Sequence, residues 1–369
     1  MKITAIRLDR LRLPLDPPLR AAWDPVPRTW FDATLVRVHT DAGVTGFGSG
    51  DTMAGFAAYE HLFLGRDPLQ IARHVRVLET IAFHAGRYWP LEAALWDIAG
   101  QVCGQPAATL LGGGRRAIPA YASFGEDISP PRRADAVIAA REAGFRAVKI
   151  RIDRGDAAAG LAAVRAAREA AGDQVEIMVD LNQGWRMPGD ISPALDAARV
   201  AALAAELRDL GVLWLEEPLP AGDLAGLRML RERTGIRVAG GEMARTPAEL
   251  LDAVSAGALD VVQPDAVLAV GLLRARTVAE FALLRHRWFT PHTWTNGLGL
   301  LANLHLVCGV GGGPYLEFPY DPPGWTPARR DFFLAEPLTI DGDGCLAVPG
   351  RPGLGARIDE AAVRRWALR

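Results

Sequence analysis

The sequence predicts an α/β fold in which a parallel (β/α) barrel is joined to a smaller α+β unit. Three observations carry this. Beyond residue 116 short apolar segments of strand character alternate with Ala/Arg/Leu-rich segments of helical character, such as DAVIAAREAG and GLAAVRAAREAAG. Strands that alternate with helical crossovers are parallel. The strand segments number eight: IPAYASF, AVKIRID, EIMVDLN, VLWLEEP, RVAGGE, LDVVQPDA, RWFTPHTW and PYLEFP. Eight is the number that closes a barrel. An open doubly wound sheet is the competing arrangement, and neither G-x-G-x-x-G nor a P-loop lysine follows the first strand to support its nucleotide-binding form.

The smaller unit occupies residues 1–116. ITAIRLDRLRLPL reads as an edge strand, and FDATLVRVHTDAGVTGFG as two strands turned at Asp41-Ala42-Gly43. Helical spacing then runs from about Ala54 to Val102 and stops at Gly104 and Pro106. Leu111-Gly112-Gly113-Gly114 marks the boundary to the barrel, residues 117–320. In the tail, 321–369, the alternation ceases and Asp341-Gly342-Asp343-Gly344 signals a hairpin; this segment is expected to pack back on the first unit. Gly309 to Gly313 precedes the eighth strand, at the barrel face opposite the chemistry, and is read as a tight turn rather than a phosphate loop.

Composition excludes several classes. Of 369 residues half are hydrophobic and the net charge is −2, so the chain lacks both the basic footprint of a nucleic-acid binder and the composition of disorder. No apolar run reaches membrane-spanning length. Three widely spaced cysteines, Cys103, Cys308 and Cys345, fit no zinc pattern and suit a reducing cytoplasm. A small-molecule partner is the expectation. Among 41 basic residues only Lys2 and Lys149 are lysines, so an internal lysine kept by an arginine-rich chain attracts notice.

Polar residues that end apolar barrel strands face the active-site end. Here they are Lys149 and Arg151, Asp180 and Asn182, Glu216 and Glu217, Glu242, Asp265, His292 and Glu317. Asp180, Glu216 and Glu242 lie on successive strands, converge on one point and repel unless a cation sits there. All-oxygen ligands favour Mg²⁺ over Zn²⁺. Strand periodicity lets only one of Glu216 and Glu217 face inward. If Trp214 lines the barrel it is Glu216, and Glu217 turns outward before Pro218 to a helix N-terminus. Lys149 and Arg151 share a face at i, i+2. Asp265 beside His292 fixes a tautomer and leaves the other ring nitrogen as a base. Cation, base and metal around one cavity suit removal of a weakly acidic proton next to a carboxylate. Glu317 could donate a hydrogen bond to the resulting oxyanion if its pKa is raised.

VDLNQGW, WLEEP, GGE, QPDA and PHTW, in that order and with suitable gaps, resemble the enolase superfamily, mandelate racemase subgroup, over essentially the whole chain. The resemblance implies a (β/α)7β TIM-type barrel closed by a capping domain built from the N-terminal segment and the tail. It implies Asp180, Glu216 and Glu242 as ligands of one Mg²⁺ per subunit, His292 with Asp265 as general acid/base, and Glu317 as electrophile. Lys149 and Arg151 take the family's lysine-x-lysine positions. Capping loops at about 15–30 and 48–56 make Trp23, Arg28, Trp30 and Met53 candidate substrate contacts, beside Asn182 and Ser123. A homo-oligomer, dimer to octamer, is also implied.

One departure bears on the reaction. Arginine at 151 holds charge but is a poor proton acceptor, which weakens a two-base racemase. The resulting expectation is a hydro-lyase that dehydrates an acid sugar to a 2-keto-3-deoxy acid, with His292 as its single base. The alternatives are a racemase or epimerase of a 2-hydroxy acid or amino acid derivative, a barrel aldolase using Lys149 as Schiff base, and a non-catalytic barrel.

Overall fold

The structure is a computed structural model that describes residues 1–50 and 52–368. Asp51, within the second expected capping loop, lies outside the described residues. Strand β1 (Ile3–Leu19) pairs antiparallel with β2 (Arg28–Thr40), which pairs with β3 (Thr45–Gly48). The turn between β2 and β3 uses Gly43 at φ 75, and its amide donates to Thr40 O at 3.2 Å. Helices α1 (Ile71–His84) and α2 (Trp89–Cys103) cover this sheet, and α2 ends where Gly104 takes the left-handed conformation. A short α3 (Ala107–Leu110) leads to the Gly112–Gly114 connector. There the Gly114 amide donates to Gly309 O at 3.0 Å, and a Cβ at Gly112 would lie 2.6 Å from the same oxygen. The glycines let two backbones pass in contact.

The barrel then runs β4 (Ala117–Ser123), α4 (Pro130–Glu142), β5 (Ala147–Arg151), α5 (Ala157–Ala171), β6 (Glu176–Asp180), α6 (Ala197–Asp209), β7 (Val212–Glu216), α7 (Leu224–Thr234), β8 (Val238–Gly240), α8 (Pro247–Ser255), β9 (Val261–Val262), α9 (Leu272–Leu284), β10 (Trp288–Phe289), α10 (Gly297–Val310) and β11 (Leu316–Pro319). Parallel pairing passes through β4 to β10 in sequence order, and the sheet curls until the last strand, β11, pairs parallel with the first, β4. Between β10 and β11 there is no ladder among the described residues. The seam is crossed by Thr293, whose hydroxyl donates to Glu317 O at 2.6 Å and whose amide donates to the Glu317 carboxylate at 2.9 Å. Gly311, left-handed at φ 72, caps the C-terminus of α10, so the glycine run before β11 is a helix stop and turn.

Inward-facing residues Tyr121, Ala147, Met178, Trp214, Ala239 and Val261 fill the barrel as one cluster, with Tyr121 edge-on to Trp214 at 5.7 Å. Period-two alternation carries these positions up to the polar strand ends. After β11 come α11 (Pro327–Arg330), β12 (Cys345–Ala347) and α12 (Glu360–Trp366). The tail divides its contacts: β12 adds antiparallel to β4 of the barrel, whereas the Leu368 amide donates to Arg10 O and Glu360 pairs with Arg37 of the N-terminal sheet.

Glu92, buried on α2, joins the two units by accepting from the Leu273 amide at 2.8 Å in the first turn of α9, and from the Trp96 indole at 3.1 Å. Burial outweighs these bonds and pushes its carboxyl from 4.5 up to about 7. An acid raised in the folded state stabilises the fold below its unfolded pKa, and that contribution is lost as pH rises toward 7. Glu92→Gln should remove a slope of roughly 3 kcal/mol across that window. Urea midpoints of variant minus wild type should therefore increase from pH 4.5 to 7 and level off above; a constant difference would refute this.

Candidate active site

The strand ends of β4 to β11 deliver their polar side chains to one buried place. Lys149 is wholly buried, with Nζ 2.5 Å from Glu216 Oε1, 2.8 Å from Glu317 Oε1 and 3.4 Å from Asp180 Oδ2. Burial by itself would lower its pKa, and the carboxylates of Glu216, Glu317 and Asp180 outweigh that and hold it well above the ordinary lysine value. This is the internal lysine that the arginine-rich composition singled out.

Arg151 is held on Nε and Nη1. Its Nη1 donates to Asp180 and, at 2.6 Å, to Asn182 Oδ1, and its Nε donates to Phe124 O at 3.1 Å. The guanidinium carbon lies 4.2 Å from the Trp23 ring centroid and 5.5 Å from that of Trp294. The two indoles meet edge to face at 4.8 Å. Arg151 thus links Asp180 at the end of β6 to an aromatic pair, Trp23 from the N-terminal unit and Trp294 from the loop after β10.

Oxygens of Asp180, Glu216 and Glu242 lie within 4.8 Å of one another, all three residues being buried. Each is oriented from behind. The Asn182 amide donates to Asp180 Oδ1 at 2.7 Å, Gln263 Nε2 to Glu216 Oε2 at 2.9 Å, and Trp185 Nε1 to Glu242 Oε1 at 2.6 Å. Glu242 Oε2 is buried without a hydrogen-bond partner among the described residues. Burial, reinforced by neighbouring carboxylates and opposed by Lys149, pushes Glu216 up to about 8. An all-oxygen set, short of positive charge and with an orphaned oxygen, fits a hard divalent cation.

His292 Nδ1 lies 3.0 Å from Asp265 Oδ2, while Nε2 faces the cluster, 3.6 Å from Glu242 and 3.9 Å from Glu317. Asp265 is itself held by the Val267 amide at 2.8 Å and by Asn303 Nδ2 at 3.0 Å. Burial alone would lower the imidazole pKa; Glu242, Glu317 and Asp265 together raise it to about 9. Glu317 differs from the sequence expectation of a raised pKa. Burial pushes it up, but Lys149, His292 and Arg151 bring it down to about 2. It is an ionised acceptor, taking Ser123 Oγ at 2.7 Å, and Ser123 in turn accepts from Trp294 Nε1 at 2.8 Å.

Glu217 also departs from expectation. It is buried, its backbone is left-handed at φ 43, and α7 begins only at Leu224, so it caps no helix. Its carboxylate packs where a Cβ on Gly184 would be, 2.3 Å from Oε1. It lines a cavity of about 600 Å³ outside the barrel wall with Trp185, Arg186, Gly240, Met243 and Leu250. Of the four loop candidates, Trp23 lies against Arg151. Arg28 pairs with Asp24 at 2.8 Å and approaches Met187 Sδ at 3.9 Å. Trp30 is half exposed beneath Arg12, and Met53 is buried in the N-terminal core with Phe56; neither joins the cluster. The sequence reading assigned no part to Gln263, Trp185, Trp294 or Asn303. Gln263 stands two residues before Asp265 on the same strand end, a signal that periodicity offered.

A buried carboxylate cluster that could hold a cation, a carboxylate-oriented imidazole and paired cations meet at the mouth of a (β/α) barrel, the features of an enzyme site. Residues 132–362 match the family model described as "Enolase C-terminal domain-like", and the chain belongs to that family. It is 30% identical to D-galactarolactone cycloisomerase of Agrobacterium fabrum, covering 100% of this chain and 99% of that one. It is 28% identical to L-talarate/galactarate dehydratase of Salmonella typhimurium over 87% of this chain and 78% of the other. Among solved structures, a member of the enolase superfamily from Polaromonas sp. JS666 superposes with TM-score 0.86 at 26% identity, covering 100% and 98% of the two chains. A racemase from Streptomyces coelicolor with bound magnesium gives 0.83 at 28%, covering 99% and 100%.

Removing one partner of a buried charge network leaves the rest uncompensated, at a cost of about 3–5 kcal/mol. Lys149→Met is expected to lose that much stability in urea when measured with divalent ions chelated. An unchanged midpoint would contradict the role of Lys149 as counter-ion to the carboxylates.

Proposed function

We propose that this protein is a Mg²⁺-dependent lyase that removes the α-proton of an acid sugar and eliminates the β-oxygen substituent to give a 2-keto-3-deoxy acid. The observation that carries this reading is the state of Arg151. A guanidinium stays protonated, and this one is bound on Nε and Nη1 and covered by two indoles. Lys149 is held among three carboxylates. Once a bound cation offsets the carboxylates that hold its pKa up, His292, whose Nε2 faces the cluster, is the group placed to accept a proton, which favours elimination over two-base inversion.

Asp180, Glu216 and Glu242 would hold the ion, which when bound supplies a Lewis acid for the substrate carboxylate. Lys149 adds positive charge where the enediolate forms. With Nδ1–H donated to Asp265, His292 Nε2 takes the C2 proton. The C2–H electron pair becomes the C2–C3 double bond, the C3–O bond breaks, and His292 returns its proton to the departing oxygen. Tautomerisation of the enol gives the keto acid. The leaving oxygen is a hydroxyl, lost as water, or a ring oxygen that remains attached. The second version is favoured by the cycloisomerase relative, which covers the whole chain. In both, Ser123, Asn182, Trp23 and Trp294 border the substrate, and Glu317 keeps Lys149 and Ser123 in place.

Proton NMR in D₂O with Mg²⁺, against mono- and diacid sugars and their lactones, is expected to yield a new, partly deuterated C3 methylene signal that EDTA abolishes. Deuterium exchange or inversion at C2 without loss of oxygen would identify a racemase or epimerase and overturn the proposal. Arg151→Lys supplies a second titratable amine opposite His292. It should lower elimination at least tenfold, about 1.4 kcal/mol, and introduce C2 exchange absent from wild type; exchange unchanged in the variant would count against the one-base reading.

A further inference from the structure

Trp185 stands five residues beyond Asp180, on the loop that leaves β6, yet its indole reaches a carboxylate two strands away. The loop is pinned at several points. The Gln183 amide donates to Glu217 O at 3.0 Å, its Nε2 to Pro218 O at 2.5 Å, and its Oε1 accepts from the Leu195 amide at 2.7 Å. A Cβ on Gly184 would lie 2.3 Å from Glu217 Oε1, so glycine here lets the loop pass close to the end of β7. The indole is thereby delivered to Glu242, donating Nε1–H to Oε1 at 2.6 Å.

Two further contacts give that bond a consequence. Glu242 Oε2 has no donor among the described residues and lies 3.6 Å from His292 Nε2, so fixing Oε1 decides where Oε2 points. Trp185 also packs, with Met187, on the apolar group of Leu13, Leu15, Leu19, Ala21, Trp23 and Trp325, most of it from the β1–β2 arm of the N-terminal unit. That arm carries Trp23, the indole lying on Arg151.

We infer that Trp185 is a positioning residue that orients Glu242 for the divalent ion and ties ion affinity to the seating of the N-terminal arm over the barrel. The inference rests on the assignment of Asp180, Glu216 and Glu242 as ligands. A donor behind a ligand restrains its rotation and tunes its basicity, and loss of such a partner weakens metal binding on the order of 10- to 100-fold. Trp185→Phe keeps an aromatic body against the arm and removes the donor. Trp185→His keeps a ring N–H.

The test is calorimetric titration of the purified protein with Mg²⁺ alone, without substrate, with far-UV circular dichroism confirming that each variant is folded. Wild type is expected to bind one ion, Trp185→Phe at least tenfold more weakly, and Trp185→His between the two. Mg²⁺ should also perturb wild-type indole emission more than that of Trp185→Phe. Equal affinity in wild type and Trp185→Phe overturns the positioning role and leaves the ligand assignment standing. Absence of Mg²⁺ binding in wild type overturns both. Should Trp185→Phe fail to fold, weakened affinity in Leu15→Ala supports the coupling, and wild-type affinity in Leu15→Ala refutes it.

Discussion

The constraint on which the rest of the structure depends is the burial of like charge. Asp180, Glu216, Glu242, Asp265 and Glu317 are brought out of water at the mouth of one barrel, against two permanent cations, Lys149 and Arg151. An isolated buried carboxylate is costly enough that it normally takes up a proton or finds a partner. Each acid here has at least one assigned donor: Asn182 for Asp180, Gln263 for Glu216, Trp185 for Glu242, Asn303 for Asp265 and Ser123 for Glu317. The remaining deficit, concentrated at Glu242 Oε2 and expressed in the upward displacement of Glu216, is what suits the place to a divalent ion.

That arrangement demands a rigid frame, and the fold supplies it from below and above. Beneath the cluster, Tyr121, Met178 and Trp214 pack the barrel interior so that successive inward positions rise to the charged layer. Left-handed backbone at Asn182 and Glu217, φ 45 and 43, bends adjacent strand ends directly at the cluster, in keeping with strain gathering where function fixes geometry. Above it, the β1–β2 arm brings Trp23 onto Arg151, while Glu92 fastens α2 to α9 elsewhere on the interface.

Arginine at position 151 connects these layers. Its guanidinium binds the Asp180 carboxylate, Asn182 and the Phe124 carbonyl, and offers a flat cationic face to two indoles. A lysine ammonium has neither the fork nor the plane for this. Position 151 here joins Asp180 to Trp23 through a side chain that keeps its proton, and the reaction proposed for the protein rests on that.

The sequence by itself determined which residues meet. Period-two alternation and strand-end position depend only on local chain geometry, so Lys149, Asp180, Glu216, Glu242, Asp265, His292 and Glu317 were legible as one layer before any contact was known. Tertiary structure decided what those residues do to one another. Glu317 is ionised because Lys149, His292 and Arg151 surround it, Glu217 is buried because Gly184 leaves room for its carboxylate, and Trp185 reaches Glu242 across two strands. The tail adds a strand to β4 as well as meeting the N-terminal sheet, and Trp30 lies half exposed under Arg12 and Met53 in the N-terminal core, whereas Trp23 lies on Arg151. These outcomes depend on distances between segments far apart in the chain and on the balance of burial against charge, neither of which a local pattern contains.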